Sequence, residues 1–339
     1  MRNSIMALII AALTVIISAP FVIPLLRRLK LGQNEREEGP KSHKVKQGTP
    51  SMGGVMIIAA IVIATIIPVI FKCFGDGGDE LTFVLPALLV TIAYGLVGFL
   101  DDFIKVKMKR NLGLRAYQKL IAQFGIAVVF AWFLKDSLGT ELYLPFSNAV
   151  IDLGWFYIPF AIFVIVGTVN SVNLTDGLDG LASGVTVVYA VSMAVIFLYI
   201  GKASELNGEI YIAGTGNLSV FSAAVAGACL GFLSQNAYPA KVFMGDTGSL
   251  ALGGAVSAMA LISRSALLLP IMGFCFLASA VSVILQVGSY KLRNKKRIFK
   301  MAPLHHHFEL CGMSETAIVT MYMITTAILC LISLGAYLK

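Results

Sequence analysis

LTFVLPALLVTIAYGLVGFLDDFIKVKMKR, residues 81–110, decides how this chain folds. Twenty apolar or small residues run from 81 to 100, enough for a helix to cross the hydrocarbon of a bilayer. The stretch then closes on Asp101-Asp102 and passes at once into a basic segment with Lys105, Lys107, Lys109 and Arg110. A carboxylate at the end of a span is costly without water, a cation or a partner, and so marks a functional-site candidate. Two further aspartate clusters follow apolar stretches in the same way: Asp176 with Asp179, and Asp246.

The rest of the chain repeats that grammar. Of 339 residues, 58% are hydrophobic and only 13% charged, with a mean hydropathy of +0.85. Soluble domains carry about 25% charged residues, so composition excludes a soluble enzyme. Apolar stretches are read at 4–26, 53–71, 81–100, 118–135, 155–173, 181–200, 218–234, 248–263, 265–289 and 315–338. The fold class expected is all-α: a polytopic integral membrane protein of about ten transmembrane helices forming a single domain over 1–339. The divide at Ser263-Arg264-Ser265 leaves room only for a tight turn. Pro20, Pro24 and Arg27-Arg28 follow the first stretch in place of a small-residue cleavage site, as in a retained helix. The five cysteines have no paired spacing, so neither a zinc site nor a disulfide framework is expected.

Charge sets the orientation. With the first loop (27–52) inside, seven cations fall in that loop, six in the third, one in the seventh and six in the ninth. Together these are twenty of the 26 lysines and arginines. The positive-inside rule then puts both termini outside and all three aspartate clusters on the cytoplasmic face. The net charge of +8 gathers on that face, which suits anionic lipid or a phosphorylated substrate. The basic loops are short and poor in aromatics, which argues against nucleic acid. On the outer side, ELYLPFSNAVIDL (141–153) alternates on both flanks of Ser147-Asn148 and predicts a small β-hairpin.

The polar loops carry the chemistry. Asp101 and Asp102 point about 100° apart on a helix. One can bind a metal or phosphate-bound cation while the other acts as base or nucleophile, or both can simply pair with Lys105 at a solvated helix end. In NSVNLTDGLDGLASG (170–184), Asp179 stands where an N-cap is wanted, and capping leaves Asn170, Asn173, Thr175 and Asp176 unexplained. In FMGDTGS (243–249), Asp246 either caps the next helix, with Ser249 at capping-box distance, or holds a magnesium-bridged diphosphate. Phe243 at the mouth can stack on a flat base. His305-His306-His307 lie in a basic loop, YKLRNKKRIFKMAPLHHHFE (290–309). Consecutive histidines do not converge on one metal, so hydrogen bonds to phosphate oxygens are expected of them. Most basic residues, Lys44, Lys46 and Lys105 among them, need no more than the positive-inside rule; Lys119 stands out because it opens a span beside the acidic loop.

Taken in order, GTPSMGG, LDDFIK, NSVNLTDGLDGLA, FMGDTGS and MAPLHHHFE resemble the polyprenyl-phosphate N-acetylhexosamine 1-phosphate transferases over nearly the whole chain. MAPLHHHFE narrows the resemblance to the muramoyl-pentapeptide branch. Ser51 stands where threonine is commoner and keeps the hydroxyl.

The resemblance implies transfer of phospho-N-acetylmuramoyl-pentapeptide from its UDP-linked precursor to undecaprenyl phosphate. The products would be lipid I and UMP, in a magnesium-dependent membrane step of peptidoglycan synthesis at the cytoplasmic face of a bacterial plasma membrane. It further implies a homodimer. Carried over by motif, Asp246 would bind magnesium, and Asp101 and Asp102 would serve attack on the sugar-linked phosphate, with Lys119 and His305 also catalytic. Asn170, Asn173, Asp176, Gly177, Leu178, Asp179 and Phe243 would cradle the nucleotide. Lys105, Asn236, Ser249, His306 and His307 would handle phosphates or the amino sugar. Lys46, Thr49 and Ser51 would form one rim, and Gln286 and Ala302 the opposite wall. The rivals are a superfamily enzyme acting on UDP-N-acetylglucosamine and, in another class, an ion-coupled transporter. A transporter needs ionisable groups near mid-membrane, whereas here they gather at one end.

Overall fold

The computed structural model describes residues 1–29, 48–73, 82–108, 113–147, 149–207 and 214–337. Its elements are α1 (Arg2–Arg28), α2 (Gly54–Cys73), α3 (Val84–Lys107), α4 (Ala116–Leu138), β1 (Glu141–Tyr143), β2 (Val150–Asp152), α5 (Tyr157–Thr175), α6 (Leu181–Asn207), α7 (Leu218–Asn236), α8 (Gly245–Ile262), α9 (Leu269–Met272), α10 (Phe274–Leu292), α11 (Leu304–Leu310) and α12 (Glu315–Leu334). Among the described residues, nine helices are long and apolar enough to cross a membrane, and a shorter apolar stretch covers Gly54–Ile67 within α2. The polytopic all-α expectation therefore holds.

Small residues let the helices close up. Burying apolar side chains gains little when the alternative is lipid, so spans associate by close backbone packing. On α1 the buried stripe Ala7, Ala11, Val15 and Ala19 recurs every four residues. It meets α7, where Gly227 lies against the Leu8 carbonyl and Gly231 against that of Ala12. The innermost helix is α8, rich in Gly, Ala, Ser and Thr and buried along almost its entire length. A side chain at Gly98 of α3 would strike the backbone of Asp246, and one at Gly54 of α2 would strike Gly248. These two crossings bring α2, α3 and the start of α8 together at one end of the bundle.

The opposite end is pinned by the hairpin. β1 and β2 pair antiparallel, Glu141 with Asp152 and Tyr143 with Val150, as the alternation in 141–153 predicts. Arg264, in the turn after α8, anchors it. Its backbone carbonyl accepts from Tyr143 N–H, and its guanidinium pairs with Glu141 at 3.2 Å and bonds the Leu138 carbonyl.

Two expectations need correction. The stretch 265–289 is not one continuous helix: a short α9, with Pro270 in its first turn, ends at Gly273 and α10 starts there, the glycine permitting the break. The histidines do not lie in a loop but on the short helix α11, entered through Pro303.

Candidate active site

Asp101 and Asp102 lie in the last two turns of α3, at its crossing with α8, each only 3% exposed. Asp102 is fixed first: its Oδ2 accepts from the Thr247 backbone N–H at 2.9 Å and from the Thr247 hydroxyl at 2.8 Å. Thr247 sits in the first turn of α8, whose N–H groups have no partner within the helix. Asp102 therefore caps α8 from another helix. Of the two readings of Asp246, the cap of α8 is not the one adopted, since the carboxylate of Asp246 turns outward. Its Oδ1 accepts from Asn173 Nδ2 at 2.8 Å, and its Oδ2 lies 2.8 Å from Lys105 Nζ and 3.0 Å from Lys119 Nζ. Ser249 makes no capping box either; its hydroxyl donates to the Gly245 carbonyl and accepts from Asn173.

Lys105 occupies the centre. Its Nζ lies 2.6 Å from Asp101 Oδ2 and 3.5 Å from Asp102 Oδ1, in addition to Asp246. The local ion pair legible in the sequence is thus real, and it is shared with a third carboxylate 141 residues away. Asp101 is also held by Leu114 N–H at 2.7 Å. Oxygens of Asp101, Asp102 and Asp246 all lie within 4.8 Å of one another, a grouping that can hold a metal ion. Carboxylate oxygens are the ligands that hard divalent cations such as magnesium prefer. Gly245 makes the packing possible: it takes φ +69°, and a Cβ there would meet Asp102 Oδ2 at 2.5 Å and Ser51 Oγ at 2.8 Å.

The loop 176–180 forms the neighbouring wall. Asp176 is half-buried; loss of water pushes its carboxyl up to about 8, with Asp246, Asp102 and Asp179 adding negative potential. Asp179 does not cap α6, which begins at Leu181. Its Oδ2 instead accepts from Ala240 N–H at 2.9 Å, tying the loop to the segment before α8. Asn236 secures the same loop: its Oδ1 accepts from Gly180 N–H and the Ser183 hydroxyl, and its Nδ2 donates to the Val242 carbonyl. Leu178 is buried in the core, while Gly177 faces α11 so closely that a Cβ would lie 2.2 Å from His305 Nε2.

The three histidines face three ways. His305 packs on Gly177 with its ring beside that of His306. His306 contacts Glu309 at 3.3 Å. His307 Nδ1 accepts from Lys300 N–H at 3.1 Å, with Phe299 against its ring edge. Gln286 turns towards the chain after α10, accepting from Ile298 and Phe299 N–H and donating to the Phe299 carbonyl. Ala302 precedes Pro303 in the entry to α11. Phe243 is half-buried, and its backbone pairs with Pro50 and Gly53, beside Thr49 and the buried Ser51. Asn170 turns away from the carboxylates and donates to Gln123 Oε1 and the Val166 carbonyl. Lys46 lies outside the described residues.

Sequence reasoning missed Thr247 and Gln123. Thr247 stands inside FMGDTGS, but its bond to Asp102 has no local signal. Gln123 was signalled by a polar side chain in an apolar span, one turn beyond Lys119.

The family model described as glycosyl transferase family 4 matches residues 84–264, and with it this bundle and its carboxylate–lysine cluster are those of a membrane-embedded transferase. Residues 46–58 match phospho-N-acetylmuramoyl-pentapeptide-transferase signature 1. Phospho-N-acetylmuramoyl-pentapeptide-transferase of Caldanaerobacter subterraneus subsp. tengcongensis is 50% identical over 332 residues, 98% of each chain. The proteins of that name from Halalkalibacterium halodurans (49%, covering 95% of this chain and 93% of the relative) and Clostridioides difficile (47%, covering 97% and 96%) are similar over comparable lengths. This chain belongs to the phospho-N-acetylmuramoyl-pentapeptide-transferase family.

Proposed function

We propose that this protein transfers phospho-N-acetylmuramoyl-pentapeptide from UDP to undecaprenyl phosphate, giving lipid I and UMP at the cytoplasmic face of a bacterial plasma membrane. The observation that carries this reading is the meeting of Asp101, Asp102 and Asp246 with Lys105 and Lys119 at the end of a membrane bundle. The reaction brings together two anions, one dissolved in lipid and one in water. It needs cations and a site at the interface, and the cluster supplies both.

Asp246 would hold magnesium together with Asp101 and Asp102, with Lys105, which bridges the three carboxylates, turning to the phosphates. Bound magnesium would screen the diphosphate charge and stabilise the departing UMP. Lys105 and Lys119 orient the phosphates. An oxygen of the lipid phosphate attacks the sugar-linked β-phosphorus, and the bond to the bridging oxygen breaks, leaving its electron pair on UMP. A phosphate monoester has its second pKa near 6, so at neutral pH the lipid phosphate is largely ionised and needs no strong base. Direct attack is therefore favoured over a phospho-enzyme. Asp101 steers the incoming phosphate, while Asp102 holds the start of α8 and with it Asp246. Asp176, Asp179, Asn173 and Phe243 receive uridine, with Asn170 behind them against α4. The histidines of α11 take the phosphate and amino-sugar side. Thr49 and Ser51 form one rim, and Gln286 and Ala302 support the opposite wall. The protein works as a homodimer.

The test is UMP release by purified protein. It is expected from UDP-N-acetylmuramoyl-pentapeptide only when undecaprenyl phosphate and magnesium are both present. Release from UDP-N-acetylglucosamine instead moves the protein to another branch, and a trapped phospho-enzyme in the absence of lipid overturns direct attack.

A further inference from the structure

The loop 176–180 is held to the C-terminal arm of the protein by a side chain that the reading above does not use. Glu315 opens α12, five residues beyond the end of α11. Its Oε1 accepts the backbone N–H of Asp179 at 2.6 Å, across 136 residues of sequence. The same loop touches α11 at a second point, where Gly177 lies under His305. Asp179 and Gly180 are also tied the other way, to Ala240 and Asn236. The loop is thus stretched between the α7–α8 side of the site and the α11–α12 side, and Glu315 supplies the charged tie on the second side.

We propose that Glu315 is a positioning residue for nucleotide binding: by accepting Asp179 N–H it sets the loop 176–180 against the histidine helix. The inference rests on the assignment of that loop to the nucleotide. An acidic residue in a first helical turn has an ordinary explanation as well, since negative charge there complements the helix dipole. The two roles make opposite demands. The dipole needs charge near the helix start and is indifferent to one methylene of length. The bond to Asp179 needs an oxygen at the reach of a glutamate and tolerates loss of the charge.

Glu315→Gln and Glu315→Asp therefore separate them, with binding of UMP measured calorimetrically on the full-length protein in detergent with magnesium. Glu315→Gln keeps the acceptor and is expected to bind UMP within about threefold of wild type, whereas Glu315→Asp loses the reach and binds about tenfold more weakly. The KM for undecaprenyl phosphate stays unchanged in both. Wild-type affinity in Glu315→Asp overturns the proposal, as does a Gln variant as weak as the Asp variant or weaker. If folded wild-type protein binds no UMP at all, the nucleotide assignment of the loop fails first and the role of Glu315 fails with it.

Discussion

Asp246 concentrates the chemistry of this site in one side chain, because two lysines and an asparagine from three other segments converge on its two oxygens. Asp246→Asn keeps the shape and removes the charge. Turnover is expected to fall about a hundredfold or more, with the magnesium requirement shifted to higher concentration. An unchanged magnesium titration of UMP release removes Asp246 as the metal ligand. Asp176 behaves differently. Its carboxyl, ordinarily near 3.9 in an unfolded chain, is pushed up to about 8 in the ligand-free fold. Between those values the unfolded chain has released a proton that the folded chain retains, so the folded state loses stability as pH rises from about 4 to about 8. Asp176→Asn abolishes that contribution. The variant's melting temperature should exceed wild type by a margin that grows from pH 5 to pH 8.5; a constant margin contradicts the assignment.

At the scale of elements, the contact between α3 and the start of α8 decides whether the carboxylates meet. Gly98 has no room for a methyl group: an added Cβ would lie 2.1 Å from the Asp246 carbonyl oxygen. Gly98→Ala is expected to push the first turn of α8 away, at a cost of about 1–3 kcal/mol in stability. Turnover should fall at least about tenfold, as read by thermal unfolding and UMP release on the same sample. Thr247 joins the same elements through hydrogen bonds. Thr247→Val leaves Asp102 one acceptor bond short in a buried position, a loss of about 1–3 kcal/mol, while Thr247→Ser keeps the hydroxyl and should restore both stability and activity. Wild-type behaviour of Thr247→Val beside a loss in Thr247→Ser shows that the methyl group, and not the hydroxyl, holds α8.

For the whole molecule, the proposed orientation rests on the surplus of lysine and arginine at one end. Cys311, just after α11, is exposed, whereas Cys229, Cys275 and Cys330 are buried. In a Cys73→Ser background, a membrane-impermeant maleimide is expected to label Cys311 in inside-out vesicles and to leave it unlabelled in right-side-out ones. The reverse pattern inverts the topology and takes the site off the cytoplasmic face.

The sequence by itself determined the membrane architecture, since hydrophobic runs of spanning length and a one-sided charge leave a polypeptide few alternatives in lipid. It also determined the candidates: polar residues have little reason to interrupt apolar spans unless something receives them, and the strings around Asp101, Asp176 and Asp246 announced themselves in that way. The hairpin too was legible, from alternation over a few residues. What a carboxylate does could not be read, because local spacing offers each aspartate the same cap or the same ion pair. Asp179 and Asp246 looked like caps of their own helices. The fold sends one to Ala240 and the other to Lys105, Lys119 and Asn173, and gives the capping of α8 to Asp102 from α3. Those choices depend on glycines that let three helices touch, and on distances between residues 61 to 145 positions apart. Only the tertiary structure sets them.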